Sequence, residues 1–170
     1  NLRYVDETGH NCNAAPHFGR SAVNQPVYDQ KPTARGTRIS TIGALSIDKI
    51  ETAFCFEGTL NGALFLYFLE NFLCPTLKPG MVVILDNATA HKVDGVRELI
   101  EETGARVLYL PPYTPEFNAI EYVWAKIKKF VNRCLPRLKP DLYEAISDAL
   151  RTITPADAKN FTLHAVSNAI

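Results

Sequence analysis

No part of this 170-residue chain is apolar for long. The longest such run, Ala63 to Leu69, falls well short of the roughly 20 residues a membrane helix needs. No charged-then-apolar segment opens the chain, so no secretory leader and no membrane partner are expected, and cytoplasmic residence is the default. Cysteine is scarce: Cys12, Cys55, Cys74 and Cys134 match no common zinc-finger spacing and are expected as reduced thiols. His10, Cys12 and His17 lie close in sequence but lack the second ligand pair of a structural zinc site. Net charge is missing too, with 18 basic against 18 acidic residues. That balance excludes a broadly basic surface, so any contact with nucleic acid is local. Acids are absent from Tyr122 to Pro140, where Lys126, Lys128, Lys129, Arg133, Arg137 and Lys139 supply six positive charges. This stretch is either a phosphate-facing patch or a solvated helix face. The chain begins at Asn1 without a Met and almost directly on a strand, which leads us to expect a preceding segment.

A length of 170 residues with 46% hydrophobic content suits one domain with one sizeable core. A strand over Leu2 to Val5 is followed by a Gly-, Pro- and Asn-rich excursion from Gly9 to Gly36, with a short strand near Val27 and Tyr28. Thr37 to Ser46 and Ile50 to Glu57 are β-branched and aromatic runs about an Asp48-Lys49 turn, the pattern of a hairpin. An amphipathic helix capped by Thr59 or Asn61 stops before Pro75. A strand over Met81 to Leu85, a helix over Asp94 to Thr103 closed by Gly104, and a strand over Ala105 to Leu110 follow. Helices over Ala119 to Leu135, Asp141 to Ile153 and Pro155 to about Ala165 complete the chain. The order predicts an α/β fold, a mixed five-stranded sheet flanked by helices. No internal repeat is visible.

Three carboxylates carry the chemistry. Asp6 and Asp86 each close an apolar run, and Glu121 opens a helix; 79 residues separate the first pair and 34 the second. Acids on open edges suit Mg²⁺ or Mn²⁺, which take hard oxygen ligands and retain water, and two such ions are the standard means of cutting a phosphodiester. Each acid also has a plainer role: Asp6 as a turn residue, Asp86 as a helix cap, Glu121 as a first-turn acid favoured by the helix dipole. His91 reads either as a phosphate or water contact or as a cap. Asn87 and Asn118 read as amides that steady the carboxylates or as turn residues. Trp124 is expected in the core. Arg20, Lys31, Arg35 and Arg38 line the long excursion and hairpin entry, and with Lys126, Lys129 and Arg133 they are candidate phosphate contacts that position DNA without reading sequence.

The element Asp86-Asn87-Ala88-Thr89-Ala90-His91, followed by LPPYTPEFNAIEYVWAKIK from Leu110 to Lys128, resembles the core signature of the DDE transposases of the mariner superfamily, bacterial insertion-sequence branch. The 34-residue gap fits that family. YVDET resembles its first-acid strand, HFGRSAVNQP its loop and ITPADAKNFTLHA its closing helix, so the likeness spans nearly the whole chain. Thr114, Glu116 and Ala119 stand where the family usually has Ser, Asp and Pro. The resemblance implies an RNase H-like fold with Asp6, Asp86 and Glu121 as ligands for two Mg²⁺ or Mn²⁺ ions. It further implies nicking of transposon ends by water, then attack of the freed 3′-hydroxyl on target DNA, commonly at TA. A helix-turn-helix region elsewhere for the inverted repeats and a homodimeric synaptic complex are family expectations. Other readings are an RNase H-like nuclease outside transposition and a decayed, non-catalytic DNA-binding module.

Overall fold

A computed structural model describes residues 1–13, 20–28 and 36–168. Lys31, Arg35 and His17 lie outside the described residues. Strands β1 (Leu2–Asn11), β2 (Arg38–Leu45) and β3 (Ile50–Glu57) precede helix α1 (Gly62–Phe68). Then come β4 (Val82–Leu85), α2 (Val96–Glu101), β5 (Arg106–Tyr109), α3 (Ile120–Cys134), α4 (Lys139–Arg151) and α5 (Pro155–Asn168). The sheet order is β3-β2-β1-β4-β5. The first three strands form an antiparallel meander, and β4 and β5 join β1 in parallel, giving the expected mixed five-stranded sheet.

Strand alternation splits the core into two layers. Tyr4, Ile39, Leu45 and Ile84 face Ile120, Trp124, Ile127, Leu142 and Ile146 of α3 and α4. Val5, Ile42, Val83 and Leu85 face Phe65, Phe68, Leu69 and Ile100 of the α1 and α2 layer. Each large apolar side chain buried this way contributes about 1.5–3 kcal/mol. Because β1 lies at the centre and is covered on both faces, a polar residue along it is forced into the interior.

Local signals set several boundaries. Ser46 Oγ accepts from the amides of Asp48 and Lys49 and so closes the β2–β3 turn. Asn61 Oδ1 accepts from the Leu64 amide at 2.9 Å and caps α1. Thr154 and Asp157 exchange side-chain-to-amide bonds in a capping box that starts α5. Gly104, at φ 81°, supplies the left-handed turn between α2 and β5.

Three expectations need correction. β1 does not stop at Val5 but runs to Asn11, because eight consecutive pairings with β2, Tyr4 to Leu45 through Asn11 to Arg38, hold it extended. Val27 and Tyr28 form no strand; they are exposed and lack ladder partners. The helix after Asn61 does not run unbroken to Pro75. It widens at Leu69–Leu73 and tightens at Cys74–Thr76, an arrangement in which Leu69 and Leu73 are both fully buried.

Candidate active site

The register between β1 and β4 brings two acids from distant segments to one level. Leu2 lies beside Val82 and Tyr4 beside Ile84. Carried two residues further, the same register sets Asp86, just past the end of β4, level with Asp6 on a strand about 4.8 Å away. Glu121 comes from the opposite layer. Its amide donates to the Asn118 carbonyl at 3.0 Å as α3 begins, and α3 packs across β1. Gly43, the cross-strand partner of Asp6, makes that packing possible: a Cβ there would lie 3.1 Å from the Trp124 ring, one turn after Glu121.

Asp86 and Glu121 line a cavity of about 370 Å³ whose wall is the segment from Leu110 to Pro115. Asn118 and Asn87 also line it, and Tyr113 stands fully exposed on its rim. Asp6 does not line this cavity and is only 7% exposed. Burial pushes its carboxyl up to about 8, and the charges of Glu121, Glu7 and Asp86 push the same way. The charges acting on Asp6 are all negative, whereas Lys92 acts on Asp86. Among the described residues, no three His, Cys, Asp or Glu side chains stand close enough together to hold a metal ion. The acids therefore converge loosely, not as a closed ligand set.

Asp86 behaves differently. His91 Nδ1 donates to its Oδ1 at 2.6 Å and the Ala88 amide donates to the same oxygen at 2.9 Å. The His91 bond is the chief reason its carboxyl lies below the usual range. Both bonds fall on Oδ1, and no bond to Oδ2 is seen among the described residues. His91 is fully buried, so it reaches neither phosphate nor bulk water. Its Nε2 lies 3.5 Å from Glu7 Oε2, its ring packs on Phe65 at 4.4 Å, and its carbonyl accepts from Tyr109 Oη at 2.8 Å. It is an orienting group for Asp86.

The amides divide. Asn87 Nδ2 donates to the Leu110 carbonyl and ties the two loops of the cavity together; it does not touch a carboxylate. Asn118 is 2% exposed and its Oδ1 has no partner, an acceptor held against the cavity. Among the basic residues, Arg20, Arg38, Lys129 and Arg133 are exposed. Lys126 is bound to Asp157 at 2.7 Å and to the Thr152 carbonyl at 3.1 Å, so its charge is spent between α3 and α5. Glu7 was not anticipated from sequence, because a strand ending at Val5 left it in a turn. The alternation of Glu7 with Val5 on a longer β1 was the available signal.

A family model described as DDE superfamily endonuclease matches residues 1–139. No curated protein sequence matches the chain. Among solved structures, the chain superposes on the Mos1 transposase paired-end complex with left transposon end at a TM-score of 0.79, 14% identity, covering 98% of this chain and 52% of that one. The Mos1 strand transfer complex gives a TM-score of 0.78 at 15% identity, covering 98% and 52%. The Mos1 transposase catalytic domain with raltegravir and Mg gives 0.69 at 14% identity, covering 95% and 76%. The chain thus spans about half the length of the transposases in the DNA complexes. These likenesses establish the RNase H-like fold.

Proposed function

We propose, on the premise that this chain belongs to the DDE superfamily of endonucleases, that it is the catalytic domain of an insertion-sequence transposase. Its reaction is divalent-metal-dependent cleavage of DNA at transposon ends, followed by strand transfer into target DNA. What supports this reading is that the β1–β4 register carries Asp6 level with Asp86, that Asp86 and Glu121 line one cavity, and that burial, then the charges of Glu121, Glu7 and Asp86, raise the Asp6 carboxyl.

The donor set fits Mg²⁺ or Mn²⁺: hard carboxylate oxygens, an open cavity with room for water, and an orphaned amide oxygen on Asn118. Asp6, Asp86 and Glu121 are the residues that would hold two such ions. Bound there, divalent ions supply Lewis-acid activation of water and neutralise charge on the pentacovalent phosphorus. The chain's own part is positioning. His91 and the Ala88 amide lock Asp86 Oδ1 and present Oδ2. The buried Asp6 offers a carboxylate whose charge is worth most when a cation is beside it. Glu121, on a helix with a longer arm, closes the set from the other side of the cavity. The Pro111 to Pro115 wall limits how the strand enters.

Water then attacks the scissile phosphorus and the 3′-oxygen leaves; in the second step that 3′-hydroxyl is the nucleophile against target DNA, with TA as the expected target. Arg20, Lys31, Arg35, Arg38, Lys129 and Arg133 are assigned to backbone contacts. Recognition of the inverted repeats belongs to a helix-turn-helix region outside these residues, in keeping with 18 charges of each sign on the chain. Residues 1–170 act as one catalytic domain, in a homodimeric synaptic complex on DNA in the cytoplasm. No helix among the described residues is long and apolar enough to cross a membrane.

The test is nicking of DNA carrying the element's own ends in Mg²⁺ or Mn²⁺. The wild-type chain, with its end-recognition region, nicks the ends, and Asp86→Asn loses nicking while its unfolding midpoint is kept. Unchanged cleavage removes Asp86 from the mechanism. Preferred cutting of hybrid or branched substrates would instead mark a nuclease outside transposition, and DNA binding without metal uptake a decayed module.

A further inference from the structure

A second concavity, about 240 Å³, opens between β1 and α3, and its lining includes His10, Asn11, Asn13, Lys128 and Asn132 but no acid. It lies in line with the candidate active site. Asp6, Thr8 and His10 alternate onto one face of β1, and all three are buried. Glu121, Lys128 and Asn132 fall on one stripe of α3, since seven residues complete about two helical turns. Lys129 is rotated away from that stripe by about 80° and Lys126 by about 140°. β1 and α3 therefore carry acids at one end and donors at the other, about 10–13 Å apart by helix and strand rise.

His10 makes this concavity a built site. It is 5% exposed, and its Nε2 has no hydrogen-bond partner among the described residues. Burial, then the charges of Lys128 and Arg38, hold its pKa down to about 4, so at neutral pH it is an uncharged imidazole able to donate one N–H. Thr8 Oγ1, between Asp6 and His10 on the same face of β1, is also buried and has no partner among the described residues. A buried nitrogen left without a partner is costly to a fold. The ring that carries it lines a pocket offering an ammonium and side-chain amides, a donor set that suits an anion with several acceptor oxygens.

We propose that this pocket seats a backbone phosphate of the DNA strand entering the acidic site, gripped by Lys128, the His10 imidazole and the Asn132 amide. The proposal deepens the reading above and rests on it. Phosphates of a duplex strand advance ~3.4 Å along the axis per nucleotide while winding around it, so the separation of acids from donors matches phosphates about two nucleotides apart. The pocket thus acts as a ruler that fixes which phosphodiester reaches Asp6, Asp86 and Glu121. Phosphate contacts of this kind set register and carry no base information.

The experiment follows the His10 imidazole by nitrogen NMR in the full chain, in EDTA, while a short DNA duplex is added, and measures affinity by anisotropy across a salt series. The wild type is compared with Lys128→Gln and with Asn132→Asp, both at exposed positions. Support is a displaced His10 resonance on DNA binding, abolished in Lys128→Gln, with affinity lowered about tenfold and a salt slope reduced by about one. Asn132→Asp, which brings a negative charge to the rim, lowers affinity at least as far. If DNA binds with the His10 resonance unmoved and both variants bind like wild type, the phosphate seat is overturned while the cleavage reading stands. If wild type binds no DNA, the phosphate seat for DNA is overturned while the nicking assay alone judges the cleavage reading, and titration with inorganic phosphate decides the pocket: a moved His10 resonance keeps it as an anion site, an unmoved one removes it.

Discussion

Replacing Asp6 with Asn should stabilise the metal-free protein at alkaline pH and leave it nearly unchanged at mildly acidic pH. The Asp6 carboxyl is raised from the ordinary 3.8 to about 8 in the fold. Since the folded value exceeds the unfolded one, the folded state holds the extra proton between about pH 4 and 8. Stability therefore falls as pH rises through that window and is level on either side. Roughly four powers of ten in the ionisation constant correspond to a ceiling on the order of 5 kcal/mol, most of it developed between pH 5 and 8.5. Asn cannot ionise, so it escapes this term. Its NH₂ group enters a buried site without an evident acceptor, however, a constant cost of about 1–3 kcal/mol. The variant and wild type should thus lie within ~1 kcal/mol of each other at pH 5, and the variant should lead by roughly 2–4 kcal/mol at pH 8.5. Urea unfolding in EDTA at several pH values measures the difference, and titrations common to both proteins cancel. Millimolar Mn²⁺ should remove most of that lead at pH 8.5, because a ligand at 100 times its Kd adds ~2.7 kcal/mol to wild type alone. Parallel pH profiles for the two proteins, or equal stabilisation of both by Mn²⁺, would refute the reasoning.

Two backbone substitutions test how α3 is presented. Gly43→Ala sets a methyl 3.1 Å from the Trp124 ring and 3.1 Å from the Thr52 carbonyl; a loss of about 1–3 kcal/mol in unfolding free energy is expected, with weaker metal binding because Glu121 moves with the ring, and a neutral result would show that α3 does not rest on Gly43. Ala119→Pro restores the residue usual in the family at a position with φ −56°, preceded by Asn118 at φ −94° and ψ 99°, both compatible with proline. A gain of about 0.4–1 kcal/mol is expected from the stiffer unfolded chain, whereas a loss would mean that the fully buried site has no room for the ring.

Local patterns made much of this protein legible. Asp86 was marked by the apolar run before it, and Glu121 by the prolines that forbid regular structure ahead of α3. The β2–β3 hairpin and the burial of Trp124 followed from side-chain type and periodicity, which act over a few residues. The length of β1 was not legible, because Asp6, Glu7 and Thr8 read as a turn until Gly43, Ile42 and Thr41 are seen opposite them. Nor could sequence separate Lys126 from Lys128. Both belong to one acid-free stretch, yet Lys126 meets Asp157, 31 residues away, while Lys128 borders the His10 pocket. The His91 bond to Asp86 spans only five residues, but its burial under Phe65 and its approach to Glu7 depend on packing between layers. The amino-acid order determined which groups are present and which elements carry them. Register and layer packing decided which groups share a cavity, because charge, desolvation and hydrogen bonding depend on distances in space that chain separation does not specify.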